Sequence, residues 1–409
     1  MRQISADYIF PVSSEPIKNG LVTIDDAGVV LNVAANISEI ENPKCEIEFY
    51  EGIICPGFIN THCHLELSHL RGQVAEHTGM TGFINDFINK RTAFPVEEIE
   101  LAIGNAETEM IKNGIVAVGD ISNNSNTFKQ KAKGNLAYHT FIEIFNLDPA
   151  KAEEVFEKAL NLRDQLQQLS TFNFQLFNSI VPHAPYTMSE RLLKMIEGYA
   201  VENKSTISIH NQESEGESEL FISKSGVMFD AFRAMGLNAD LMQKTGVNSL
   251  RSTLPFLKNV SKILLVHNTF TSKEDIDWVN SQLSDLTSQV SHLTSQIYFC
   301  TCPNANLYIE NRLPNYNYFI EKNARVTIGT DSLASNWTLS VLDELKTITK
   351  YYPDIPLQTL ITWATKNGAE LLGFTQLGTI EKGKKPGLNL LKNVNGLKIS
   401  EQTEVLKLI

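Results

Sequence analysis

Residues 56–72 read PGFINTHCHLELSHLRG, and the pattern in this stretch, an apolar run followed by histidines, indicates the fold expected of the whole chain because similar runs recur along it. A short apolar run ends at Asn60 and is followed by His62 and His64, with Cys63 between them. Residues i and i+2 of an extended strand point to the same side, so the two histidines can bind one ion together. Packed polar histidines would give the same pattern, and so would chance. The rest of the chain decides between these three interpretations.

Short β-branched or aromatic runs of this kind recur along the chain and alternate with segments of helical length. The eight runs are GFIN (57–60), GIVAVG (114–119), YHTFIEIF (138–145), FQLFNSIV (174–181), STISI (205–209), KILLV (262–266), IYFCT (297–301) and ARVTIG (324–329). Apolar residues between the runs repeat at three and four, as in the surface helix predicted for residues 280–296. Continuous apolar strands that alternate with amphipathic helices indicate an α/β fold with a parallel sheet. Eight such units predict a closed (β/α)8 TIM barrel.

A chemically active side chain follows each run or lies near its end. The set is His62 and His64, Asp120, Glu143, His183, His210 with Glu213, His267, Cys302 with Asn304 and Asn306, and Asp331. Barrel enzymes collect their chemistry at the C-terminal ends of the strands, so these side chains are expected to converge at one mouth. Several imidazoles and a carboxylate suit Zn²⁺, Fe²⁺ or Mn²⁺. The sequence therefore favours a metal site over packed histidines or chance.

The two ends of the chain have a different pattern from the middle. Both alternate short strands with turns, which are marked by Asn19-Gly20 and Ala27-Gly28 near the beginning. We expect the two ends to pair into a small β-sandwich beside the barrel. The predicted domains are therefore a β-sandwich of residues 1–54 plus 376–409 and a catalytic barrel of residues 55–375.

Composition and charge exclude several classes of partner. The chain has 35 Lys and Arg against 47 Asp and Glu, a net charge of −12, which argues against nucleic acid or an anionic membrane as partner. The sequence contains neither an apolar run long enough to span a bilayer nor the pattern of a signal peptide at its beginning. Its five cysteines lack the spacing of a disulfide framework. These features predict a cytoplasmic protein.

Seven motifs make the sequence similar to a known family. They are PGFINTHCH, PHAPYTMS, HNQES, VHN, CPNANLY, IGTDSLASN and ATKNGAELLG. Their order resembles that of the amidohydrolase superfamily, most closely its metal-dependent branch of cytosine, guanine and adenosylhomocysteine deaminases and related chlorohydrolases. The motif HLELS resembles aminodeoxyfutalosine deaminases. One departure is Gly-Lys-Lys-Pro-Gly-Leu at residues 383–388, where many relatives have Gly-Lys-Asp-Ala-Asp-Leu.

The resemblance implies a role for each residue of the expected metal site. The metal ligands would be His62, His64, His210 and Asp331. The catalytic residues would be Glu213, which shuttles a proton, His267, which orients the water, and Asp331, which accepts the proton of the water. The cofactor would be one divalent metal ion, and no more than one, because no lysine follows the fourth run, where relatives with two ions have a carboxylated lysine. The ion would be zinc, with iron as the alternative. For Glu213, the alternative is a solvated member of the acidic run ESEGESE.

Five residues are candidates for binding the substrate: His183, Glu66, Ser68, Arg71 and Trp337. His183 follows the fourth run, where the resemblance predicts a contact with substrate; the alternative is a structural histidine bonded to backbone. The next three lie in the predicted loop after the histidine pair, where solvated side chains are the alternative. For Trp337 the alternative is core packing or a place at the surface.

The expected function is metal-dependent deamination of a small nitrogen heterocycle, namely a purine, a pyrimidine or a nucleoside-like amine. Two alternatives remain at this point. The same site could hydrolyse a C–Cl, amide or cyclic-amidine bond, or the chain could bind a small molecule without catalysis. The resemblance also implies a homodimer.

Overall fold

The computed structural model describes residues 1–35, 46–170, 176–287 and 296–409. These ranges form the following strands: β1 (Arg2–Ile9), β2 (Ile17–Lys18), β3 (Leu21–Ile24), β4 (Val30–Ala34), β5 (Ile47–Pro56), β6 (Phe58–Cys63), β7 (Ile115–Ser122), β8 (Ala137–Ile144), β9 (Phe177–Pro182), β10 (Thr206–Asn211), β11 (Lys262–His267), β12 (Gln296–Thr301), β13 (Arg325–Ile328), β14 (Leu388–Lys392) and β15 (Glu404–Lys407).

The same ranges form the following α-helices: α1 (Gly79–Lys90), α2 (Val96–Lys112), α3 (Phe128–Lys131), α4 (Ala152–Gln167), α5 (Glu190–Asn203), α6 (Glu215–Ser223), α7 (Val227–Ala234), α8 (Ser249–Thr253), α9 (Lys273–Thr287), α10 (Pro303–Glu310), α11 (Tyr316–Glu321), α12 (Val341–Tyr351), α13 (Leu357–Ala364) and α14 (Lys366–Leu372). Short 3₁₀ helices follow β6 and β9, at Leu65–Leu70 and Pro185–Thr187.

Two four-stranded parallel sheets contain all eight predicted runs. Their strand orders are β6-β7-β8-β9 and β10-β11-β12-β13. The register places strand ends side by side, as where Asn211 of β10 pairs with His267 of β11. The prediction of an α/β fold with parallel sheets is therefore confirmed. Residues 174–175 of the fourth run lie outside the described residues.

The two parallel sheets contact each other at both outer edges. Cys63 of β6 forms a parallel bridge with Asp331, which follows β13. The backbone N–H of Asp331 also donates to the carbonyl oxygen of His62 at 3.0 Å. At the other edge, the N–H of His210 donates to the carbonyl oxygen of His183 at 2.9 Å. These contacts gather the C-terminal ends of the strands, while continuous closure into a barrel stays a prediction.

Burial on both faces explains the continuous apolar sequence of these strands. Residues 263–266 of β11 are all buried. The covering helices bury one face only, as in α5, where Leu192, Ile196 and Ala200 point inward at a spacing of four. Ser189 caps the N-terminus of that helix, because its side chain accepts a hydrogen bond from the backbone N–H of Leu192. Its apolar spacing and its cap thus both agree with the helix expected there.

A seven-stranded mixed sheet joins the two ends of the chain. Its order is β15-β14-β5-β1-β3-β4, and β2 pairs with β1. Because β14 lies antiparallel to β5, with Leu390 opposite Ile54, the C-terminal segment pairs directly with the N-terminal one. The pairing of the ends is thus observed. Their arrangement as a sandwich and the division into domains 1–54 plus 376–409 and 55–375 stay predictions.

The helix predicted for residues 280–296 lies partly within the described chain. The helix α9 covers it as far as Thr287, and residues 288–295 lie outside the described ranges. Among the helices that the structure describes, none combines the length and the apolar character needed to cross a membrane.

Candidate metal centre and active site

Two histidines at the end of β6 face each other in the interior. The Nε2 atoms of His62 and His64 are 3.2 Å apart. Both rings are buried, and Cys63 between them packs into the hydrophobic core instead. Two imidazole nitrogens at this distance either form a hydrogen bond with each other or both bind one cation. The structure therefore has the local geometry that the His-x-His spacing predicts.

Asp331 brings a carboxylate to the same point from the end of β13. Its Oδ1 lies 3.6 Å from Nε2 of His62 and 3.5 Å from Nε2 of His64. The hydroxyl of Ser335 donates to Oδ2 at 2.6 Å and fixes the carboxylate. The turn before Asp331 requires Gly329, because a Cβ at this position would lie 2.8 Å from the Cβ of His62. Close approach of the two backbones thus positions the carboxylate.

His210 completes the cluster from the end of β10. Its ring centroid is 4.9 Å from that of His62 and 5.5 Å from that of His64. Its Nδ1 donates to the carbonyl oxygen of His183 at 2.7 Å, which leaves Nε2 free to bind a ligand. A histidine held by a backbone carbonyl through one nitrogen is typical of metal sites, where the other nitrogen binds the ion.

The chemistry of this donor set fits one divalent cation. Ligand atoms of His62, His64 and His210 lie within 4.8 Å of one another, and so do those of His62, His267 and Asp331. Zinc is held by such sets of imidazole nitrogens and carboxylate oxygens, and catalytic zinc sites keep one position open for water. The described residues therefore include a possible His/Asp metal site, of which the metal is not identified.

His267 and Glu213 face this cluster from β11 and from the loop after β10. Oε1 of Glu213 lies 3.4 Å from Nε2 of His267. The other nitrogen of that ring, Nδ1, is 3.0 Å from Oδ1 of Asn306, which fixes the ring plane. Nε2 is buried and has no hydrogen-bond partner among the described residues. Because Glu213 is only 6% exposed, it is not a solvated member of its acidic run.

Burial favours the neutral form of the imidazoles of His64, His210 and His267, and a neutral imidazole is the form that binds a metal. It lowers the pKa of His64 to about 3 and that of His267 to about 4. The pKa of His210 lies well below its ordinary value for the same reason. Burial alone would raise the pKa of Asp331, but the histidine side chains around its carboxylate hold that pKa well below the usual range. Imidazoles of this kind beside an ionised carboxylate form a donor set ready for a cation.

Glu213 has the opposite protonation behaviour to Asp331. Burial, together with the negative charge of Asp331, raises the pKa of Glu213 well above its ordinary value. Its loop is held in place by Glu217, whose carboxylate accepts hydrogen bonds from the backbone N–H groups of Gln212 and Glu213, each at 3.1 Å. Burial therefore favours the protonated form of Glu213, which is the form that can donate a proton into the site.

Two of these residues have an unusual backbone conformation. The φ angles are +71° at His267 and +56° at Asp331, in the left-handed region that side chains rarely adopt. Conformations of this kind cost free energy and are retained where the surrounding structure and the function require them. The strand ends that carry these two side chains are thus bent specifically to direct them into the site.

A cavity of about 440 Å³ opens above the cluster. Its floor includes His64, His210, Glu213, His267 and Asp331. One wall is the apolar face of α1, which contributes Met80, Phe83, Ile84, Phe87 and Ile88. These positions have the spacing of one helix face, so α1 presents a continuous apolar stripe to the cavity.

His183 lines this cavity, as expected for a residue that binds substrate. Its Nδ1 lies 3.1 Å from the hydroxyl of Thr187, which leaves Nε2 for a ligand. The backbone carbonyl of His183 is also the group that holds His210. The ring of His183 is thus held by a side-chain hydroxyl and its backbone carbonyl supports His210, while its contact with substrate stays a prediction.

The other four predicted substrate-binding residues lie outside the cavity lining. Glu66 and Ser68 are buried; Glu66 accepts the N–H of Asn123 at 3.1 Å, and the hydroxyl of Ser68 donates to the carbonyl of Leu65 at 2.7 Å. The two remaining residues lie at the surface, where Arg71 pairs with Glu109 and Trp337 donates to Glu76 at 2.9 Å. Direct contact of these four with a substrate stays a prediction.

Asp120 also follows a predicted strand, and it contacts a buried lysine. Its Oδ2 lies 2.6 Å from Nζ of Lys131, and both side chains are fully buried. Its Oδ1 accepts a hydrogen bond from the backbone N–H of Leu65 at 2.8 Å. Because Leu65 directly follows His64, this ion pair holds the chain segment that carries the first two histidines.

Two parts of the cavity were not identified from the sequence. Asn123 lines it beside Glu143, and the amide nitrogen of Asn123 donates to Oε2 of Glu143 at 3.0 Å. The wall formed by α1 was also missed. Its signal in the sequence is the apolar spacing at 80, 83, 84, 87 and 88, which a helix covering the core would share.

Comparison with known proteins gives a family match. The family model described as the amidohydrolase family matches residues 53–407. The adenosine deaminase of Helicobacter pylori is 26% identical over 360 residues, which cover 86% of this chain and 82% of that protein. The match extends over nearly the whole length of both proteins.

Two solved structures are similar in fold. The aminofutalosine deaminase of Helicobacter pylori in complex with methylthio-coformycin has a TM-score of 0.78 at 23% identity, covering 98% of this chain and 94% of that one. An adenosine deaminase of Xanthomonas campestris with bound zinc has a TM-score of 0.71 at 20% identity, covering 95% and 84%. At these identities the likeness shows a shared fold.

Proposed function

Because this chain belongs to the amidohydrolase family and is a hydrolase of carbon–nitrogen bonds, we propose that it deaminates an adenosine-like nucleoside. One observation carries the proposal. Glu213, whose protonated form is favoured by burial, lies beside His267 at the floor of the cavity, next to the His/Asp cluster. Hydrolytic removal of an amine requires an acid, a neutral imidazole and a set of metal ligands in one cavity.

His62, His64, His210 and Asp331 would hold one divalent ion in this proposal. The ion is zinc, with iron as the alternative, since these ligands suit both. The zinc of the Xanthomonas campestris protein supports this choice. A bound ion of this kind lowers the pKa of a coordinated water towards neutrality and so supplies hydroxide at physiological pH.

The chain's own residues move the protons in the proposed reaction. Glu213 donates its proton to the ring nitrogen next to the carbon that carries the amine. Asp331, which is ionised, accepts the proton that the attacking water loses and passes it to the departing amine. A C–O bond forms, the C–N bond breaks and the amine leaves as ammonia. The proton of the new hydroxyl group returns to Glu213, so both carboxyl groups regain their starting states. General acid–base help of this kind is worth roughly 10²–10⁴-fold in rate.

The shape of the cavity supports a substrate larger than a bare ring. About 440 Å³ is room for a ring with a substituent, and α1 offers this ligand an apolar wall. The name of the Helicobacter pylori relative, an adenosine deaminase, agrees with a nucleoside. The nucleoside class therefore takes precedence over free pyrimidines and purines.

Closure of the two parallel sheets into one (β/α)8 barrel is part of the proposal. The backbone contacts at both edges of the sheets support it, and so does the fold shared with the amidohydrolase neighbours. A homodimer and a cytoplasmic location stay predictions.

The experiment is a direct assay of ammonia release. Metal-replete protein is incubated with adenosine, 2′-deoxyadenosine, adenine, cytosine and guanine, with and without a chelator. We expect release from the nucleosides that depends on the metal. Failure to release ammonia from every aminated ring would contradict the proposal. Release of chloride from a chlorinated triazine in place of ammonia would favour the alternative chemistry.

A further inference from the structure

Glu143 is a buried carboxylate with one unused oxygen. It lies on β8, is 5% exposed and lines the cavity. Its Oε2 accepts a hydrogen bond from Asn123, whereas Oε1 has no hydrogen-bond partner among the described residues. Buried polar atoms are nearly always hydrogen-bonded, so an unpaired buried oxygen on a residue that lines a cavity points to a missing partner.

The neighbouring histidine does not satisfy this oxygen. Nδ1 of His210 is 3.6 Å away, beyond hydrogen-bond distance. That nitrogen already gives its proton to the carbonyl of His183 at 2.7 Å. Because Nδ1 carries this proton, the group formed by Glu143, His183 and His210 is not a second metal site. Oε1 is therefore left for the contents of the cavity.

The carboxylate of Glu143 is held in a fixed position. The amide nitrogen of Asn123 donates both to Oε2 of Glu143 at 3.0 Å and to its backbone carbonyl at 3.1 Å. The backbone N–H of Asn123 in turn donates to Oε2 of Glu66 at 3.1 Å. Glu66 is thus a positioning residue for Asn123, which orients Glu143. An acceptor fixed in advance binds a donor without losing further side-chain entropy.

Glu143 contacts a different part of a ligand from Glu213. Glu143 lies on β8 and Glu213 follows β10, and both line the cavity. The two carboxylates face different neighbours, His210 for Glu143 and His267 for Glu213. A ligand whose reacting ring lies at Glu213 can therefore present another of its groups to Glu143.

The chemistry of an aminated purine nucleoside identifies that group. The ring nitrogens N1, N3 and N7 are hydrogen-bond acceptors, and the amino group is the group that leaves. The donors that remain are the sugar hydroxyls. We propose that Oε1 of Glu143 accepts a hydrogen bond from a sugar hydroxyl, which makes Glu143 a specificity-determining residue for nucleosides over free bases. This inference rests on the proposed function.

Paired substrates test the inference. The assay compares adenosine with 2′,3′-dideoxyadenosine and with 5′-deoxyadenosine, at pH 8, above the pKa of about 7 that burial gives Glu143 despite the hydrogen bond from Asn123. In the parent protein, at least one deoxy analogue should have a KM about tenfold or more above that of adenosine, the range expected for a hydrogen bond to a charged group. In Glu143→Gln and Glu143→Ala this difference should shrink to about twofold or less, with kcat changed little.

A matched control is Glu107→Gln. Glu107 is a buried carboxylate whose oxygens accept from Gln130, Asn135 and Tyr138, and it does not line the cavity. Its loss should leave the preference between adenosine and the deoxy analogues unchanged. An unchanged preference in both Glu143 variants would overturn the inference, and so would an equal loss on every substrate.

Calorimetric binding distinguishes failure of this inference from failure of the proposed function. If no ammonia is released but adenosine binds, deamination is contradicted. The Kd values of adenosine and its deoxy analogues are then compared in the parent and in the Glu143 variants. A difference that shrinks in the variants supports the role of Glu143, and an unchanged difference overturns it. If neither adenosine nor its deoxy analogues bind the metal-replete parent, the inference is overturned together with the nucleoside assignment.

Discussion

Oε1 of Glu213 lies 3.4 Å from Nε2 of His267, and both side chains are buried at the floor of the cavity. Burial raises the pKa of Glu213 well above its ordinary value and lowers that of His267 to about 4. Both shifts favour a proton on the carboxyl group over a proton on the imidazole. An acid next to a neutral imidazole is a pair suited to proton transfer rather than a structural ion pair.

Replacing Glu213 by glutamine should abolish most of the activity without loss of the metal. Glutamine keeps the shape but cannot donate an acidic proton, so kcat should fall by roughly 10²–10⁴-fold. Ammonia release and elemental analysis measure the two effects. The control is Glu215→Gln, an exposed residue of the same acidic run, which should keep the parent rate. Equal rates for Glu213→Gln and the parent would favour a non-catalytic binding protein.

The buried pair of Lys131 and Asp120 should matter strongly for stability. Replacing Lys131 by methionine leaves the carboxylate of Asp120 buried without its cation, which costs about 3–5 kcal/mol in the free energy of unfolding. The double variant with Asp120→Asn should recover most of this loss, since asparagine can still accept the N–H of Leu65. Denaturant unfolding measures both. A single variant as stable as the parent would contradict the assignment.

Gly329 should be essential for the position of His62. An added Cβ would lie 2.7 Å from the sulfur of Cys300 and 2.8 Å from the Cβ of His62, so Gly329→Ala must displace one of them. We expect lower stability and lower metal content, measured by thermal unfolding and elemental analysis.

The control for Gly329 is Gly198→Ala on α5. A Cβ at Gly198 meets no atom within 4 Å, and alanine favours a helix over glycine by about 0.5–1 kcal/mol. This variant should be at least as stable as the parent. Normal metal content in Gly329→Ala would show that the close approach of the two strands is not needed.

Glu48 and Arg2 should contribute to stability in a pH-dependent way. The hydrogen bond from Arg2 lowers the pKa of Glu48 from 4.5 to about 2. Because the folded pKa is the lower one, the contribution is fully present above pH 4.5 and is lost as the pH falls towards 2. The Tm of the parent should exceed those of Glu48→Gln and Arg2→Gln at pH 6 and approach them near pH 2. Equal differences at both pH values would contradict this.

The strands and the candidate metal ligands could be predicted from the sequence because both depend on the local pattern of residues. Strands buried on both faces are continuously apolar, and several of them are followed by a side chain that faces the site, whereas Asp120 pairs with Lys131 instead. His62, His210 and Asp331 come together for this reason. The pairing partners of the terminal strands are not a local property. The expected pairing of the two ends is observed, whereas their expected arrangement as a β-sandwich stays a prediction.

The cavity walls were harder to predict because loop geometry determines them. Trp337 follows the last strand, as a pocket residue would, yet its indole turns to Glu76 at the surface. Glu66 lies two residues after His64, but the 3₁₀ helix Leu65–Leu70 buries it under Asn123. Neither direction can be read from residue type or spacing.

The central claim is that one divalent cation binds where the imidazoles of His62, His64 and His210 meet the carboxylate of Asp331. The most direct test is a crystal structure of metal-replete protein with anomalous diffraction at the zinc and iron edges. The account predicts one anomalous peak per chain within bonding distance of these four side chains. Protein that holds no ion there, or that holds its ion elsewhere, would contradict it.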